Sequence, residues 1–462
     1  MSNFNIVIIG AGLAGVTIAN TLSKFANVYV IEKGTEKPIT PNPIFLKRKF
    51  GESTTYCYGH GGTTNLWHNG LIEIPSNDVQ SHFKDILLSL DKYKNEAAAR
   101  LNFADEFEYE KAESLSEVKN LINNPDINID NILIPKSTPP IKLNSTVKLY
   151  LEVSKISINN INNNAKSIDI EYKNKKINLP LDLLIICCGG INSPKIVMQI
   201  MEKNNYTVEN IGKNFIDHPM GFLGKIKVKK EFKKLFKVLS HNDKETYSSR
   251  TGIVIKHKGK SHIFYFRPAA TSKNCLDIYK FKSKLGSSTW SQRIKLILNH
   301  KIYHPDILQE IFAQLFNIRL ITRNFSFWAV FEQHPQNSFV TTNDSQEDII
   351  SWDITNHELQ EYTEVIQIFI KKISNYIDID AIDIDLKQMD KYLWSAAHHS
   401  GTCALGTKNS VVDENLKLKY FNNIYVCDGS VIPAHSYANT GLTIAQLALK
   451  LCDYIKSEYV KK

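Results

Sequence analysis

The sequence predicts an α/β protein, α+β overall: a Rossmann-like dinucleotide-binding domain joined to a second domain of mixed sheet and helix. Three observations carry this. An apolar run near the N-terminus enters a glycine-rich turn. A second apolar run, Leu183-Leu184-Ile185-Ile186-Cys187-Cys188, ends in Gly189-Gly190. From Leu223 onward, strand-like pieces surround a helical stretch.

Asn5-Ile6-Val7-Ile8-Ile9 is apolar throughout, as expected of a parallel strand covered on both faces. Gly10-Ala11-Gly12-Leu13-Ala14-Gly15 follows at once, and Ile18, Leu22 and Phe25 then recur at helical spacing. Val28-Tyr29-Val30-Ile31 is the next strand and ends in Glu32. In such a unit Gly10 permits the tight turn and Gly12 lets a pyrophosphate approach backbone N–H groups. Gly15 lets helix and strand pack closely, and Glu32 is placed to accept from a ribose hydroxyl. The acid argues against a ribose 2′-phosphate. FAD and NAD both remain open from this unit.

A proline-punctuated loop, Pro38 to Pro43, leads to Gly59-His60-Gly61-Gly62-Thr63-Thr64-Asn65-Leu66-Trp67-His68-Asn69-Gly70, small residues then an aromatic, suited to backbone packed on a flat ligand. Residues 78–140 read as helical to Asn123 and loop-like around Pro125, Pro135, Pro139 and Pro140. Leu149 to Val153 reads as a strand, and Ser154 to Leu179 as a hairpin excursion with its turn in "NNINNNAK". A hairpin returning to the buried strand at Leu183 fits an FAD domain better than the repeated strand–helix units of an NAD domain. Beyond it, Gly252–His257, His262–Phe266 and Phe325–Glu332 read as strands around a helical stretch, Ser288 to Leu320. That stretch and its flank carry Arg293, Lys295, Lys301, Arg319 and Arg323. A solvated basic face is the expected reading; peripheral membrane contact through 288–323 is the alternative.

Composition narrows the function classes. The 462 residues, 43% hydrophobic and 22% charged, are ordinary for a two-domain globular protein. The net charge of +9 is spread out, with no basic patch of the kind a nucleic acid requires. There is no basic n-region and no run of eighteen apolar residues, so neither signal peptide nor membrane span is expected, and the expected compartment is the cytoplasm. The seven cysteines, 57, 187, 188, 275, 403, 427 and 452, have no metal-ligand spacing and read as reduced thiols; no metal is expected.

Near the C-terminus, His398-His399-Ser400-Gly401-Thr402-Cys403 precedes a strand ending in Asp428-Gly429, and Asn439-Thr440-Gly441-Leu442-Thr443 opens a helix. Together with Gly61-Gly62-Thr63-Thr64-Asn65-Leu66-Trp67, Cys188-Gly189-Gly190-Ile191-Asn192-Ser193-Pro194-Lys195, Ile211-Gly212-Lys213-Asn214-Phe215-Ile216-Asp217-His218-Pro219 and Glu332-Gln333-His334-Pro335-Gln336-Asn337-Ser338, this order resembles the glucose–methanol–choline (GMC) oxidoreductases, flavoproteins that oxidise alcohols. The resemblance implies one FAD. Its contacts would be Gly10, Gly12, Leu13, Ala14, Gly15, Glu32, Gly62, Thr63, Asn65, Leu66, Val153, whose backbone would meet adenine, Gly189, Asp428, Gly429, Thr440 and Thr443. It implies a catalytic histidine at His398 and a second active-site group at Asn439. Some members attach the flavin through a histidine where this chain has Leu66, so a non-covalent FAD is expected; His60, Cys57 and His68 are lesser attachment candidates. The Gly-Gly-Thr-Thr-x-x-Trp form resembles sugar-oxidising members. Residues 76–140 look trimmed for the family.

The expected organisation is a discontinuous FAD domain, 1–75, 141–222 and 395–462, and a substrate domain, 76–140 and 223–394. A neutral imidazole at His398 would take the hydroxyl proton while Asn439 fixes the oxygen. His399 would point elsewhere on extended backbone, because successive side chains alternate. His218, His435 and His68 read as structural or as cavity wall. The expected reaction is FAD-dependent oxidation of an alcohol on a sugar or sugar-like polyol, with the electron acceptor unassigned. The alternatives are an NAD-dependent dehydrogenase and a flavin-binding subunit without turnover.

Overall fold

The structure is a computed structural model; it describes residues 4–460 except 53, 68, 288–295, 297, 317–321, 336, 344–346 and 407–408. The apolar runs form a five-stranded, wholly parallel sheet in the order Ile424–Val426, Leu183–Ile186, β1 (Asn5–Ile9), β2 (Asn27–Ile31) and Lys148–Tyr150. The inner strands are buried on both faces, which is why they do not alternate. Helix α1 (Leu13–Leu22) packs on the C-terminal helix Gly441–Ile455, buried along nearly its whole length.

Two glycines hold the first turn together. Gly10 sits at φ +104°, and a Cβ there would lie 2.4 Å from the Cys187 carbonyl oxygen of the neighbouring strand end. A Cβ on Gly15 would lie 2.0 Å from the Gly10 carbonyl oxygen. Helix and strand meet backbone to backbone, as the motif requires.

The hairpin excursion is a three-stranded antiparallel sheet, Lys155–Ile161, Asn164–Tyr172 and Lys175–Pro180, turning at Asn162 and Asn163, both at positive φ. The second sheet is larger. Tyr247–His257, Lys260–Pro268, Asn324–Val330 and Pro219–Lys227 form its antiparallel centre. Helix Asn356–Ile373 opens on a capping box between Thr355 and Glu358 and lays Tyr362 and Phe369 on this sheet. Two cores result: an aliphatic one around the parallel sheet, and an aromatic one around Phe264, Phe327, Phe331 and Phe369.

The structure departs from two local expectations. Ile129–Pro135, expected as loop, is a strand paired with Tyr247–His257; its alternating burial is real, but prolines on either side obscured it. The strand expected to reach Val153 stops at Tyr150, because Glu152 adopts φ +59°. Within the basic helical stretch Pro305–Phe316 is a helix; Arg293, Lys295 and Arg319 lie outside the described residues. Of its other cations, Lys301 pairs with Asp277 at 3.3 Å and Arg323 with Asp378 at 2.7 Å. Among the described residues no helix is long and apolar enough to cross a membrane.

Candidate active site

The glycine turn, the strand end at Cys187–Cys188, the Gly62–Leu66 turn and the Asp428–Gly429 strand end converge on one cavity of 590 Å³. Of the residues expected to contact the cofactor, Gly10, Gly12, Leu13, Ala14, Glu32, Gly62, Thr63, Val153, Gly189, Asp428, Gly429 and Thr440 border it. Gly15, Asn65, Leu66 and Thr443 do not appear in its wall. Gly15 is a packing glycine. Asn65 donates its amide to the His60 and Gly62 carbonyls, each at 2.9 Å, stapling the turn. Leu66 is half exposed and Thr443 is buried.

The acidic groups of this cleft are spent first on backbone. Buried Glu32 accepts the N–H groups of Ala11 at 2.9 Å, Gly34 at 2.8 Å and Gly59 at 3.0 Å. A carboxylate offers about four acceptor positions, so roughly one remains for a ribose hydroxyl. Asp428 accepts from Gly189 N–H at 2.9 Å and Ser193 Oγ at 2.5 Å, both at the N-terminal end of helix Gly189–Lys203, and from Ser430 N–H at 2.8 Å. Its charge therefore faces the positive end of that helix, while burial pushes its pKa up. Val153 donates its N–H to the Glu32 carbonyl at 3.1 Å.

The two adjacent histidines face opposite ways. Ala397, at φ +65°, turns the chain, and His399 borders the cavity with its ring stacked on Phe50 at 4.8 Å and its carbonyl against Gly190 and Gly429. His398 is half-buried and does not border that cavity; its Nδ1 lies 2.9 Å from Nδ1 of His218. His218 in turn contacts Nδ1 of His435 through Nε2 at 2.6 Å. Burial lowers the pKa of His398 to about 4 and of His399 to about 3, so both rings are neutral at pH 7. Asn439 donates its amide to the Gly70 carbonyl at 3.2 Å and stands outside the cavity wall. The ring centroids of His398 and His435 are 6.5 Å apart, so the His398 loop and the 435–439 segment share one neighbourhood.

The GMC oxidoreductase family profile matches residues 361–448. A putative truncated GMC-type inactive oxidoreductase of Acanthamoeba polyphaga mimivirus is 45% identical over 62 residues, 13% of this chain and 73% of that protein. The chain belongs to the GMC oxidoreductases. Neither inactivation nor afterpotential protein G of Drosophila melanogaster is 34% identical over 98 residues, 19% of this chain; the match spans only 16% of the fly protein's length. In three dimensions the fold matches pyridoxine 4-oxidase from Mesorbium loti with a TM-score of 0.62 at 13% identity, covering 99% of this chain and 100% of the other.

FAD is the cofactor of GMC oxidoreductases, and the residues here fit it. A Cβ on Gly12 or on Gly189 would meet nothing within 4 Å, so both glycines face open room rather than packed protein. That is what a pyrophosphate passing over a helix N-terminus needs.

One group in the cavity wall escaped the sequence reading. Lys195 forms a buried ion pair with Asp348, and Asp348 also accepts from Tyr58 at 2.7 Å and Tyr56 at 3.1 Å. Lys195 was visible only as the end of a family motif, and no local pattern marked Asp348 as its partner.

Proposed function

We propose that this GMC oxidoreductase is an enzyme that oxidises an alcohol group, drawing on a non-covalent FAD, and that His398 is the base. The observation that carries this is the neutral, half-buried His398, held beside the segment that bears Asn439 and on the same loop as Ala397 and His399 of the cavity wall. FAD, held by the glycine turn and the Asp428–Gly429 strand end, would supply the two-electron, hydride-accepting chemistry. The chain's own residues handle the proton and the geometry. His398 accepts the hydroxyl proton as the carbinol becomes a carbonyl, and Asn439, anchored on the Gly70 carbonyl, orients the oxygen.

Leu66 in place of an attachment histidine supports a non-covalent flavin. So does Cys57, whose thiol donates to the Gly62 carbonyl at 3.1 Å and whose pKa burial raises to about 11, away from the reactive thiolate. His60 faces Glu36 at 3.3 Å, and His68 lies outside the described residues. For the substrate we favour a sugar or sugar-like polyol, on the form of the Gly62–Trp67 segment; the electron acceptor is a small molecule or carrier.

The experiment is anaerobic. Purified protein should be yellow, acid should release the chromophore to the supernatant, and a panel of polyols and simpler alcohols should bleach it. Flavin retained by the pellet would overturn the non-covalent reading. A yellow protein that no alcohol bleaches would favour a flavin-binding subunit without turnover, a reading the mimivirus relative's description as inactive keeps in view.

A further inference from the structure

We propose that His218 is a positioning residue that fixes the tautomer of His398: His218 Nδ1 accepts the proton on His398 Nδ1 and so leaves His398 Nε2 as the bare, proton-accepting nitrogen. This rests on the reading of His398 as base and adds to it a second residue and a named atom.

One group in this chain of contacts has a fixed role. The Ser436 carbonyl oxygen lies 2.5 Å from His218 Nε2. A carbonyl can only accept, so His218 Nε2 carries a proton. His435 Nδ1, 2.6 Å from the same nitrogen, then also faces a donor and presents its lone pair. His218 is wholly buried, and burial with two neighbouring imidazoles drives its pKa well below 6.5, so it holds a single proton. Its Nδ1 is therefore unprotonated. The contact between His218 Nδ1 and His398 Nδ1, at 2.9 Å, needs one proton between two nitrogens, and only His398 can supply it. A neutral His398 with its proton on Nδ1 has Nε2 free to act as base.

The surroundings hold this arrangement in place. Asp217, with no exposed surface, accepts the main-chain N–H groups of both histidines, at 2.7 Å from His218 and 3.0 Å from His398. Its carboxylate thus fixes backbone and leaves the rings to each other. The other titratable groups near the chain are His399, with Nε2 3.6 Å from Asp217 Oδ2, and His262, which acts on His218 at longer range. The remaining ring nitrogen, His435 Nε2, is buried without a protein partner among the described residues.

The test uses holoenzyme labelled with ¹⁵N-histidine. Multiple-bond ¹H–¹⁵N correlation reports which imidazole nitrogens carry protons, and His398→Ala assigns the signals by their loss. In the wild type the His398 signals should show protonated Nδ1 and bare Nε2. In His218→Ala they should move toward the Nε2-protonated form, and flavin reduction at saturating substrate should slow by about 10²–10⁴-fold with FAD still bound, the range set by a positioned acid–base group that is lost or held in the wrong tautomer. In His218→Asn the side-chain oxygen takes the place of Nδ1 as acceptor, so tautomer and most of the rate should return. A wild-type His398 protonated at Nε2 overturns the proposal, whatever the variants do. An unchanged tautomer and rate in His218→Ala, with His398→Ala slowed, overturns it while leaving His398 as base. Wild-type reduction in His398→Ala would instead remove the base reading, while the spectra still decide the tautomer. If His218→Ala does not fold, the wild-type and His218→Asn spectra decide.

Discussion

Asp217 accepts the main-chain N–H of His398 at 3.0 Å from a fully buried position, tying the Asp-His-Pro turn to the loop that bears the proposed base. The same carboxylate accepts from His218 N–H and from the Ser395 hydroxyl. Burial raises its pKa to about 6 even so, which means that desolvation outweighs those donors.

Asp217→Ala should therefore strand donors rather than merely remove a charge. Leaving buried N–H and O–H groups unpaired costs about 1–3 kcal/mol each. Urea unfolding should show a loss of about 3 kcal/mol, and Asp217→Asn, which keeps one acceptor oxygen, should lose less. Equal stability of Asp217→Ala and the wild type would mean that these bonds do not persist in solution.

Gly12 and Gly15 should fail in different ways. Gly12→Val puts a side chain into open room where the pyrophosphate passes, so the variant should fold, with near wild-type circular dichroism, yet purify colourless. Gly15→Val drives a side chain into the Gly10 carbonyl, so it should lose stability in apoprotein and holoprotein alike. Full flavin occupancy in Gly12→Val would remove Gly12 from the phosphate turn.

Stability should fall on acidification. Burial holds His398 at about 4 and His399, His435 and His262 at about 3, with His218 also well below 6.5. Depressed folded pKa values give stability that is fully present above pH 6.5 and is lost as pH falls toward 4 and 3, because the unfolded chain takes up protons first. Each such group contributes up to about 1.4 kcal/mol per pH unit. Asp217 and Asp428 work in the opposite sense, since burial raises their folded pKa values, that of Asp217 to about 6, but they are two groups against five histidines. Urea unfolding at pH 5.5 should give a free energy lower by about 2 kcal/mol or more than at pH 7.5. A flat or rising profile would mean that these rings are not buried and neutral.

His398 and Asn439 should be coupled. His398→Ala should slow anaerobic flavin reduction by about 10²–10⁴-fold, and Asn439→Ala by less, since it removes orientation while the base remains. Acting on one oxygen, the pair should lose less in the double variant than the two single losses add to. His399→Ala, whose ring packs on Phe50, should bind FAD and keep the chemical step near the wild-type rate. Additive losses in stopped-flow reduction would separate Asn439 from the base, and a crippled His399→Ala beside an active His398→Ala would move the site by one residue.

The sequence by itself determined whatever depends on contiguous residues. The parallel strands, the turn from Gly10 to Gly15 and the hairpin at Asn162–Asn163 were legible because backbone sterics and periodicity act over a few positions. The strand Ile129–Pro135 was missed for the same reason: prolines spoke locally for loop, and pairing with Tyr247–His257 outweighed them. Only the tertiary structure decided the use of each polar group. His218 lies 180 residues from His398 and 217 from His435, and Lys195 lies 153 from Asp348. Nothing in a linear pattern ties such pairs together; burial does, because a polar group removed from water must find its partner wherever the fold brings one.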